Sequence, residues 1–424
     1  MAEQRRAIRE AVAGLPSGFW WLWTSTLVNR VGSFVVTFLS LYLTVQRGYS
    51  ASYAGLVASL FGLGGMIASP VGGTLADRWG RRPTMLAAQL ATSASTAALG
   101  FARNPVAIAA LVFAMGFAVQ ASRPAVQAML SDLVPGEDRQ RAFSLNYWAI
   151  NIGFSVASLS AGLIAAHGFL LLFLLDAATT LLCALVVFVK LPETRPAEPV
   201  ALSAGAEPRA EPRTGTGTGT REVLRDRRFM GLVGLNLLLA GIFAQTGIGL
   251  PISMGQDGMS STDFGIVISV NGILIVLLQI PISQLVTRRS PAGLLSFGAL
   301  LFGAGLGLTG FAGSIPVYAL TVCVWSMGEI IYMPTSSAAV AKLSPPHARG
   351  RYSGIMGLSW SVANFAGPLL GGFVIDRAGT GALWTGCAVI GAVTATGYLT
   401  LLRERSGAGA VGAGEVSEGV KVAG

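Results

Sequence analysis

Residues 51–82 read ASYAGLVASLFGLGGMIASPVGGTLADRWGRR, an apolar run of 25 residues followed by a loop that carries Asp77, Arg78, Arg81 and Arg82. A helix of about 20 apolar residues is long enough to cross the hydrocarbon core of a bilayer. The run therefore predicts a membrane-spanning helix that ends in a positively charged loop. Of the chain's 424 residues only 12% are charged and 52% are hydrophobic, so this pattern is expected to recur.

Twelve apolar runs of spanning length follow one another along the chain. They cover residues 19–45, 51–75, 83–102, 105–130, 142–166, 169–190, 229–254, 263–287, 291–311, 315–341, 352–375 and 380–402. Because a helix satisfies its own backbone hydrogen bonds in lipid, these runs predict an all-α membrane protein with twelve transmembrane helices. The first run is much longer than the core of a cleavable signal peptide, so it is expected to remain in the mature protein.

Basic residues are distributed unevenly between the two sides of the predicted spans. Of the 29 lysines and arginines, 24 lie in the N-terminus, the loops that join even to odd spans and the C-terminal tail, and three lie in the other loops. Cytoplasmic loops carry such an excess. We therefore expect a multi-pass protein of the plasma (inner) membrane with both termini in the cytoplasm. The net charge of +9 then reflects topology, and no nucleic-acid partner is expected.

A polar segment that contains a Thr-Gly repeat divides the spans six and six, and it is typical of a flexible linker. Five regions are predicted. They are a cytoplasmic N-terminus (1–18), an N-terminal six-helix bundle (19–190), a cytoplasmic linker (191–228), a C-terminal six-helix bundle (229–402) and a disordered cytoplasmic tail (403–424).

The two halves resemble each other under one ungapped shift of 210 residues. The shift pairs Pro124 with Pro334, Pro135 with Pro345, Arg141 with Arg351, Gly62 with Gly272, and Arg78 with Arg288. A unit repeated in the same orientation predicts two bundles related by a pseudo-twofold axis along the membrane normal, with a cavity between them. Two such bundles can rock about the cavity and so give alternating access.

The loop after the second span has the sequence Gly73-Thr74-Leu75-Ala76-Asp77-Arg78-Trp79-Gly80-Arg81-Arg82. It resembles the G-x-x-x-D-R-x-G-R-R loop of the major facilitator superfamily at every defining position. With the twelve spans and the duplication, the resemblance covers essentially the whole chain. It implies the major facilitator fold and a latch that holds the cytoplasmic ends of the bundles together in the outward-facing state. The latch residues are Gly73, Asp77, Arg78, Gly80, Arg81 and Arg82.

Two departures qualify the resemblance. Residues 283–289, the equivalent of the loop in the second half, lack the Asp and the Gly, so a single strong latch is expected. Drug antiporters of the superfamily carry G-x-x-x-G-P-x-x-G-G on the fifth helix, whereas residues 153–162 lack its Pro and two of its glycines. A fuller version lies on the eleventh helix, at 367–372, which leaves the direction of transport open.

Four ionisable side chains fall well within the spans, namely Arg30, Arg123, Asp176 and Glu329. Each costs at least about 2.5–3.5 kcal/mol at a helix centre and is retained mainly where it faces a cavity or a partner. Glu329, Asp176 and Arg123 are the candidates for proton coupling. The alternatives are a structural carboxyl tied to a neighbouring helix for Glu329, and ion pairs within the first bundle for Asp176 and Arg123.

The predicted substrate cavity combines one charge with amide and aromatic side chains. Arg30 either attracts an anionic substrate or pairs with Asp176 or Glu329. The other cavity candidates are Asn29, Asn151, Asn236, Gln245, Trp325, Tyr332 and Trp360. Amides supply hydrogen bonds and aromatic rings supply flat apolar faces, a mixture that suits amphipathic ligands. Hydrogen bonding between helices is the alternative role for the amides.

An enzyme is not expected, because no nucleophile with a base or metal cluster is recognisable and no phosphate-binding loop is present. Three cysteines in separate spans predict neither a disulfide nor a metal site. The first hypothesis is a monomeric exporter of lipophilic or amphipathic molecules, driven by a proton gradient without a cofactor. The second is proton-linked or facilitated uptake of a small anionic or polar metabolite, and the third is a membrane receptor or assembly factor that transports nothing.

Overall fold

The computed structural model describes residues 14–195, 220–286, 289–345 and 348–402. The start of the predicted N-terminus, most of the predicted linker, the predicted tail and Arg288 lie outside the described residues. The long helices are α1 (Ser17–Gln46), α2 (Ala51–Arg78), α3 (Arg81–Phe101), α4 (Pro105–Leu133), α5 (Arg139–Ala165), α6 (Phe169–Lys190), α7 (Arg227–Gln256), α8 (Ser261–Val286), α9 (Pro291–Phe311), α10 (Ile315–Leu343), α11 (349–378) and α12 (380–401). A short helix, Thr220–Arg225, precedes α7.

Ten helical stretches of the described chain are long and apolar enough to cross a membrane. One of them, Arg349–Leu401, is two helices, because Gly379 interrupts it with a φ of +80°. The helix α3 is less apolar and is not among the ten. Splitting Arg349–Leu401 adds one helix and α3 adds another, so the described chain has twelve long helices. The predicted all-α fold of twelve transmembrane helices is therefore confirmed.

Two of the helices are broken in the middle of the bundle. In α1, a regular segment ends at Val31 and the next begins at Val35, and a π-helical turn follows. In α7, the helix that ends at Phe243 is followed by a 3₁₀ turn and a second segment that begins at Gly249. The breaks lie at similar depth in the two halves, as the duplication predicts.

Helix packing follows the same pattern in both halves. In the first, α2 packs on α4, α3 on α4 and α6, and α1 on α5. In the second, α8 packs on α10, α9 on α10 and α12, and α7 on α11. Two long helix pairs, α2 with α11 and α5 with α8, join the bundles. These relations are those of two six-helix bundles about a pseudo-twofold axis.

The contacts between the bundles cluster towards one side of the molecule. We call the side with residues 79–80, 134–138 and 191–195 the motif face, and the side with residues 47–50 and 257–260 the far face. Close backbone contacts join the bundles near the far face, where a Cβ on Gly55 would overlap the Pro368 carbonyl. Nearer the motif face, by contrast, a Cβ on Gly354 or Gly357 of α11 would meet nothing within 4 Å. The bundles are thus closed at the far face and apart at the motif face.

Within the first bundle, α2 and α4 touch through bare backbone at Gly116, where a Cβ would overlap the Phe61 carbonyl. Small residues let transmembrane helices approach this closely. We expect Gly116→Ala to cost about 1–3 kcal/mol, because the helices must separate to admit the methyl group. The midpoint of thermal unfolding in detergent should fall by several degrees.

The matched control is Gly234→Ala on α7, where an added Cβ meets nothing within 4 Å. Its unfolding midpoint should stay level or rise slightly, since alanine is the better helix former. Equal midpoints for the two variants would contradict the tight α2–α4 contact.

Candidate functional site

A chamber consists of three adjoining cavities, two of about 350 and 310 Å³ between the bundles and one of about 360 Å³ lined by the first bundle alone. Arg123 of α4 lines all three cavities, and Arg30 of α1 lines two of them. The C-terminal bundle contributes Phe243 of α7, Asn271 of α8 and Glu329 of α10 to the wall. The first bundle therefore lines the chamber with two arginines and with Asp176, and the second bundle contributes one carboxyl group, that of Glu329.

Arg30 and Arg123 form the basic side of the chamber. Arg30 lies close enough to Arg123 for their positive charges to repel each other. Within the part of the chain that the structure describes, no carboxylate lies within ion-pair distance of either guanidinium. The predicted alternatives that paired these arginines with Asp176, Glu329 or another acid do not match this geometry. An unpaired pair of guanidinium groups attracts carboxylate and phosphate groups.

Asp176 of α6 has a different partner from those predicted. Its Oδ2 atom accepts hydrogen bonds from the backbone N–H groups of Phe34 and Val35, each at 3.0 Å. These groups open the second segment of α1, where a helix N-terminus favours a negative charge. Asp176 is buried and so caps the break in α1 instead of neutralising an arginine. Its proposed part in proton coupling stays a prediction.

Glu329 lies on the chamber wall, half-buried, with one hydrogen-bond partner on a neighbouring helix. The Asn271 Nδ2 atom donates to Glu329 Oε2 at 2.8 Å and to the Ser326 hydroxyl at 3.0 Å. Tyr147 of α5 lies within electrostatic range of Glu329 from the other bundle. The carboxyl group therefore faces the chamber from one bundle and is oriented by an amide that carries no charge.

Several predicted cavity residues lie elsewhere. Asn236 donates to Ser359 at 2.7 Å and accepts from the Tyr332 hydroxyl at 2.8 Å, and both Asn236 and Tyr332 are buried inside the C-terminal bundle. Trp325 is buried there too. The prediction that these three line the substrate cavity differs from the structure, because their helix faces point into the bundle core.

Gln245 also lies outside the chamber. It borders a separate apolar cavity of about 380 Å³ between α7, α11 and α12. Asn29 and Asn151 do line the chamber. Trp360 packs edge-to-face on Phe243, whose ring lines the chamber, with 5.7 Å between the ring centroids.

Six amides on the chamber wall are absent from the predicted set: Gln127, Asn271 and Asn364, and three others whose side-chain oxygens are unpaired. Gln89 of α3, Gln120 of α4 and Asn146 of α5 border the cavities, and in each the buried side-chain oxygen has no hydrogen-bond partner. A buried acceptor without a donor is costly, so these oxygens are available to a ligand. Their position inside apolar runs was the only sequence signal for them.

The motif loop is supported from within its own bundle. The guanidinium of Arg81 contacts Asp132 of α4 at 3.2 Å and Asp77 at 3.5 Å. Arg82 lies over the Phe188 ring, with its Cζ atom 5.1 Å from the centroid. The Asp77 side chain is 76% exposed, and among the described residues its ion pair is with Arg81 of its own bundle.

The remaining latch positions shape the turn. Gly80 has a φ of +112°, a backbone conformation that favours glycine. The carbonyl of Arg78 accepts a hydrogen bond from Arg195 at 2.6 Å. Gly73 lies beside Pro124 of α4, within the first bundle.

Glu193, just after α6, caps the start of α3. Burial opposes its ionisation, but hydrogen bonds from the backbone N–H groups of Arg195, Arg81, Arg82 and Thr194 outweigh this effect and lower the pKa of Glu193. The bonds from Arg81 and Arg82 measure 2.9 and 3.1 Å. Glu193 therefore fixes the basic end of the motif loop.

Twelve pseudo-symmetric helices around a polar chamber, closed at one face and apart at the other, define a membrane transport protein. The chain belongs to the Major Facilitator Superfamily, whose sequence profile matches residues 22–252 and 240–420. This is a family of transporters and not of enzymes.

Relatives with assigned names fall into more than one group. The multidrug resistance protein MdtH of Aeromonas salmonicida is 28% identical over 392 residues, covering 91% of this chain and 94% of the relative. The Na⁺, Li⁺, K⁺/H⁺ antiporter of Planococcus maritimus is 24% identical, covering 82% of this chain and 89% of the relative. The crystal structure of the nucleoside transporter NupG is similar in fold, with a TM-score of 0.74 at 17% identity, covering 92% of this chain and 100% of the NupG chain.

We expect Glu193→Gln to loosen the motif loop and lower the midpoint of thermal unfolding at pH 7. The folded-state pKa of Glu193 lies below the ordinary glutamate value of about 4.3. Its contribution to stability is therefore complete above the ordinary value and is lost as the pH falls through the folded value. The difference in midpoint between wild type and variant should shrink below about pH 4.

Glu137→Gln is the control, since Glu137 is an exposed glutamate on the same face. It should leave the unfolding midpoint unchanged at pH 7 and also below about pH 4. If the Glu193 variant and the wild type had the same unfolding midpoint at pH 7, Glu193 would not stabilise the start of α3 as a helix cap.

Proposed function

We propose that this protein is a proton-coupled exporter of small lipophilic or amphipathic compounds that works by alternating access. It resides as a monomer in the plasma (inner) membrane, with both termini in the cytoplasm. Export uses the proton gradient and no bound cofactor. Glu329 carries the proposal, because it is a carboxyl group on the chamber wall of one bundle with an uncharged amide as its hydrogen-bond partner.

The distribution of basic residues supports the orientation. The loops with most of the lysines and arginines lie on the motif face, which is then the cytoplasmic side. The bundles are apart at that face, so in this orientation the chamber opens towards the cytoplasm. In the outward-facing state the latch closes, and Asp77 moves from solvent to the uncapped N-terminus of α11, where its charge is favoured.

Charge at Glu329 links the proton to the cargo. An ionised Glu329 attracts a cationic or hydrogen-bond-donating group, and a proton on the same oxygen removes that attraction. Cargo and proton therefore compete for one site, which is the requirement for exchange. The name of the multidrug resistance relative supports the cargo class, and that of the antiporter relative supports proton exchange.

A second candidate function is proton-linked uptake of a small anion. The unpaired guanidinium groups of Arg30 and Arg123 favour it, since they attract an anionic cargo into the chamber. An ionised Glu329 repels that cargo, and a proton on Glu329 removes the repulsion. Proton and anion then bind together, so the same three residues would give cotransport.

We expect Glu329→Gln to abolish proton-driven efflux and to hold ethidium binding at the weaker level of the protonated wild type at every pH, since the amide keeps the shape of the carboxyl group and carries no charge. Efflux of ethidium should be measured in proteoliposomes with an imposed pH gradient. Asp263→Asn is the control, because Asp263 is a carboxylate of the same bundle that bonds to Ser260 at the far face. Full proton-driven efflux by the Glu329 variant would remove Glu329 from the coupling step.

The pH dependence of binding separates the two functions. Exchange predicts that ethidium binds more tightly at pH 8 than at pH 6, because cargo binding releases a proton. Cotransport predicts that an anionic probe, such as benzoate, binds more tightly at pH 6. Arg30→Gln should weaken benzoate binding by about tenfold or more and leave ethidium binding unchanged. If Arg30→Gln weakened the binding of benzoate and of ethidium equally, a specific role of Arg30 in binding anions would be contradicted.

A further inference from the structure

The end of α11 repeats the spacing of the motif loop. Residues Gly372-Phe373-Val374-Ile375-Asp376-Arg377-Ala378-Gly379 match Gly73–Gly80 in the pattern glycine, three residues, Asp-Arg, one residue, glycine. In both copies the last glycine has a positive φ, +112° at Gly80 and +80° at Gly379. The copies end two helices, α2 and α11, that run antiparallel across the bundle interface. One copy therefore lies at the motif face and the other at the far face.

The far-face copy is engaged with the other bundle. Asp376 Oδ1 accepts from the backbone N–H of Ala51 at 3.0 Å, and Oδ2 accepts from that of Ser52 at 2.8 Å. These are the first two residues of α2, whose N–H groups have no partner within the helix. Asp376 thus places its charge at the positive end of α2 and satisfies two donors at once.

Glycines bring the two helices close enough for this contact. A Cβ on Gly372 would overlap the Ala51 carbonyl, and a Cβ added to Gly55 would lie 3.2 Å from the Gly372 Cα atom. The Ser52 hydroxyl points to the Gly372 carbonyl at 3.5 Å. The interface at the far face is therefore backbone against backbone, with one carboxylate across it.

The motif-face copy is in the opposite condition. Asp77 is 76% exposed, and its ion pair is with Arg81 of its own bundle. Across from it, α11 begins at Arg349, and the residue before it, Ala348, has no side chain that can cap the helix. Each copy thus faces the N-terminus of a helix in the other bundle. Only the far-face copy contacts that N-terminus, through Asp376.

We propose that residues 372–379 form a second latch, which holds the far face closed through Asp376 and opens when the motif-face latch closes. The two latches act on one antiparallel helix pair, so closing one end separates the other. This inference rests on alternating access in the proposed function and is independent of the cargo and of proton coupling.

Labelling of a chamber cysteine from the far face tests the proposal. Val36 lies on the chamber wall and is 43% exposed, so Val36→Cys, with the three native cysteines replaced by serine, reports whether the far face is open. A membrane-impermeant maleimide is added to intact cells. Asp376→Ala should raise the labelling rate about fivefold to thirtyfold, the population change that follows from the loss of one helix cap. Asp77→Ala should lower the rate.

Ala51→Pro gives a second test that leaves Asp376 in place. Proline is tolerated at the first position of a helix, and it lacks the N–H group that donates a hydrogen bond to Asp376 Oδ1. It should raise labelling in the same direction as Asp376→Ala, and the double variant should label no faster than Asp376→Ala alone.

Asp263→Ala is the matched control, since Asp263 bonds to the N–H of Ser260 at the far face within one bundle. It should leave labelling unchanged. The proposal is overturned if Asp376→Ala labels at the parent rate, or if Asp263→Ala raises labelling equally. Because labelling needs neither cargo nor a proton gradient, failure here is distinct from failure of the Glu329 experiment.

Discussion

A backbone N–H group inside a bilayer has no water to bond, and this constraint determines where the protein places its buried polar side chains. Where α1 breaks, Asp176 accepts from the two exposed N–H groups. Where α7 breaks, Gln245 donates to the carbonyls of Gly241 and Gly367. At the start of α2, Asp376 caps the helix from the other bundle, as Asp176 caps the break in α1. Other buried polar side chains, such as Asn236 and Tyr332, bond to each other in the core of the C-terminal bundle.

The four ionisable residues inside the predicted spans look equivalent in the sequence, but the structure gives them different partners. All four border the chamber, but Asp176 is bonded to the backbone of α1, whereas Arg30, Arg123 and Glu329 have no ion-pair partner among the described residues. An arrangement of two cations on one bundle and one acid on the other makes the energy of closing depend on the charge of what lies between them. Under the proposed function, a proton or a charged cargo that binds one state more tightly than the other shifts the conformational equilibrium.

The sequence was sufficient to predict the fold, because hydrophobic length and loop charge report directly on membrane topology. It found α3 as well, although α3 is less apolar than its neighbours. It was not sufficient to place side chains around the chamber. Asn236, Trp325 and Tyr332 lie on spans that border the chamber, but the rotation of each helix directs them into the bundle core. The cap by Asp176 was equally hidden, because nothing near Gly32 marks a break as strongly as a proline would.

The break in α1 has a mechanical consequence. The N–H of Val35 bonds to Asp176 of α6, and that of Phe34 is shared between Asp176 and the Gly32 carbonyl, so the segment from Val35 to the π-helical turn is a separate lever. It contacts α7 near the far face, where the Ser40 hydroxyl donates to the Gly247 carbonyl at 2.9 Å. This lever can tilt about Asp176 without losing a hydrogen bond of its own helix. The far-face rim of the chamber can thus move while the part of α1 that holds Arg30 stays packed on α5.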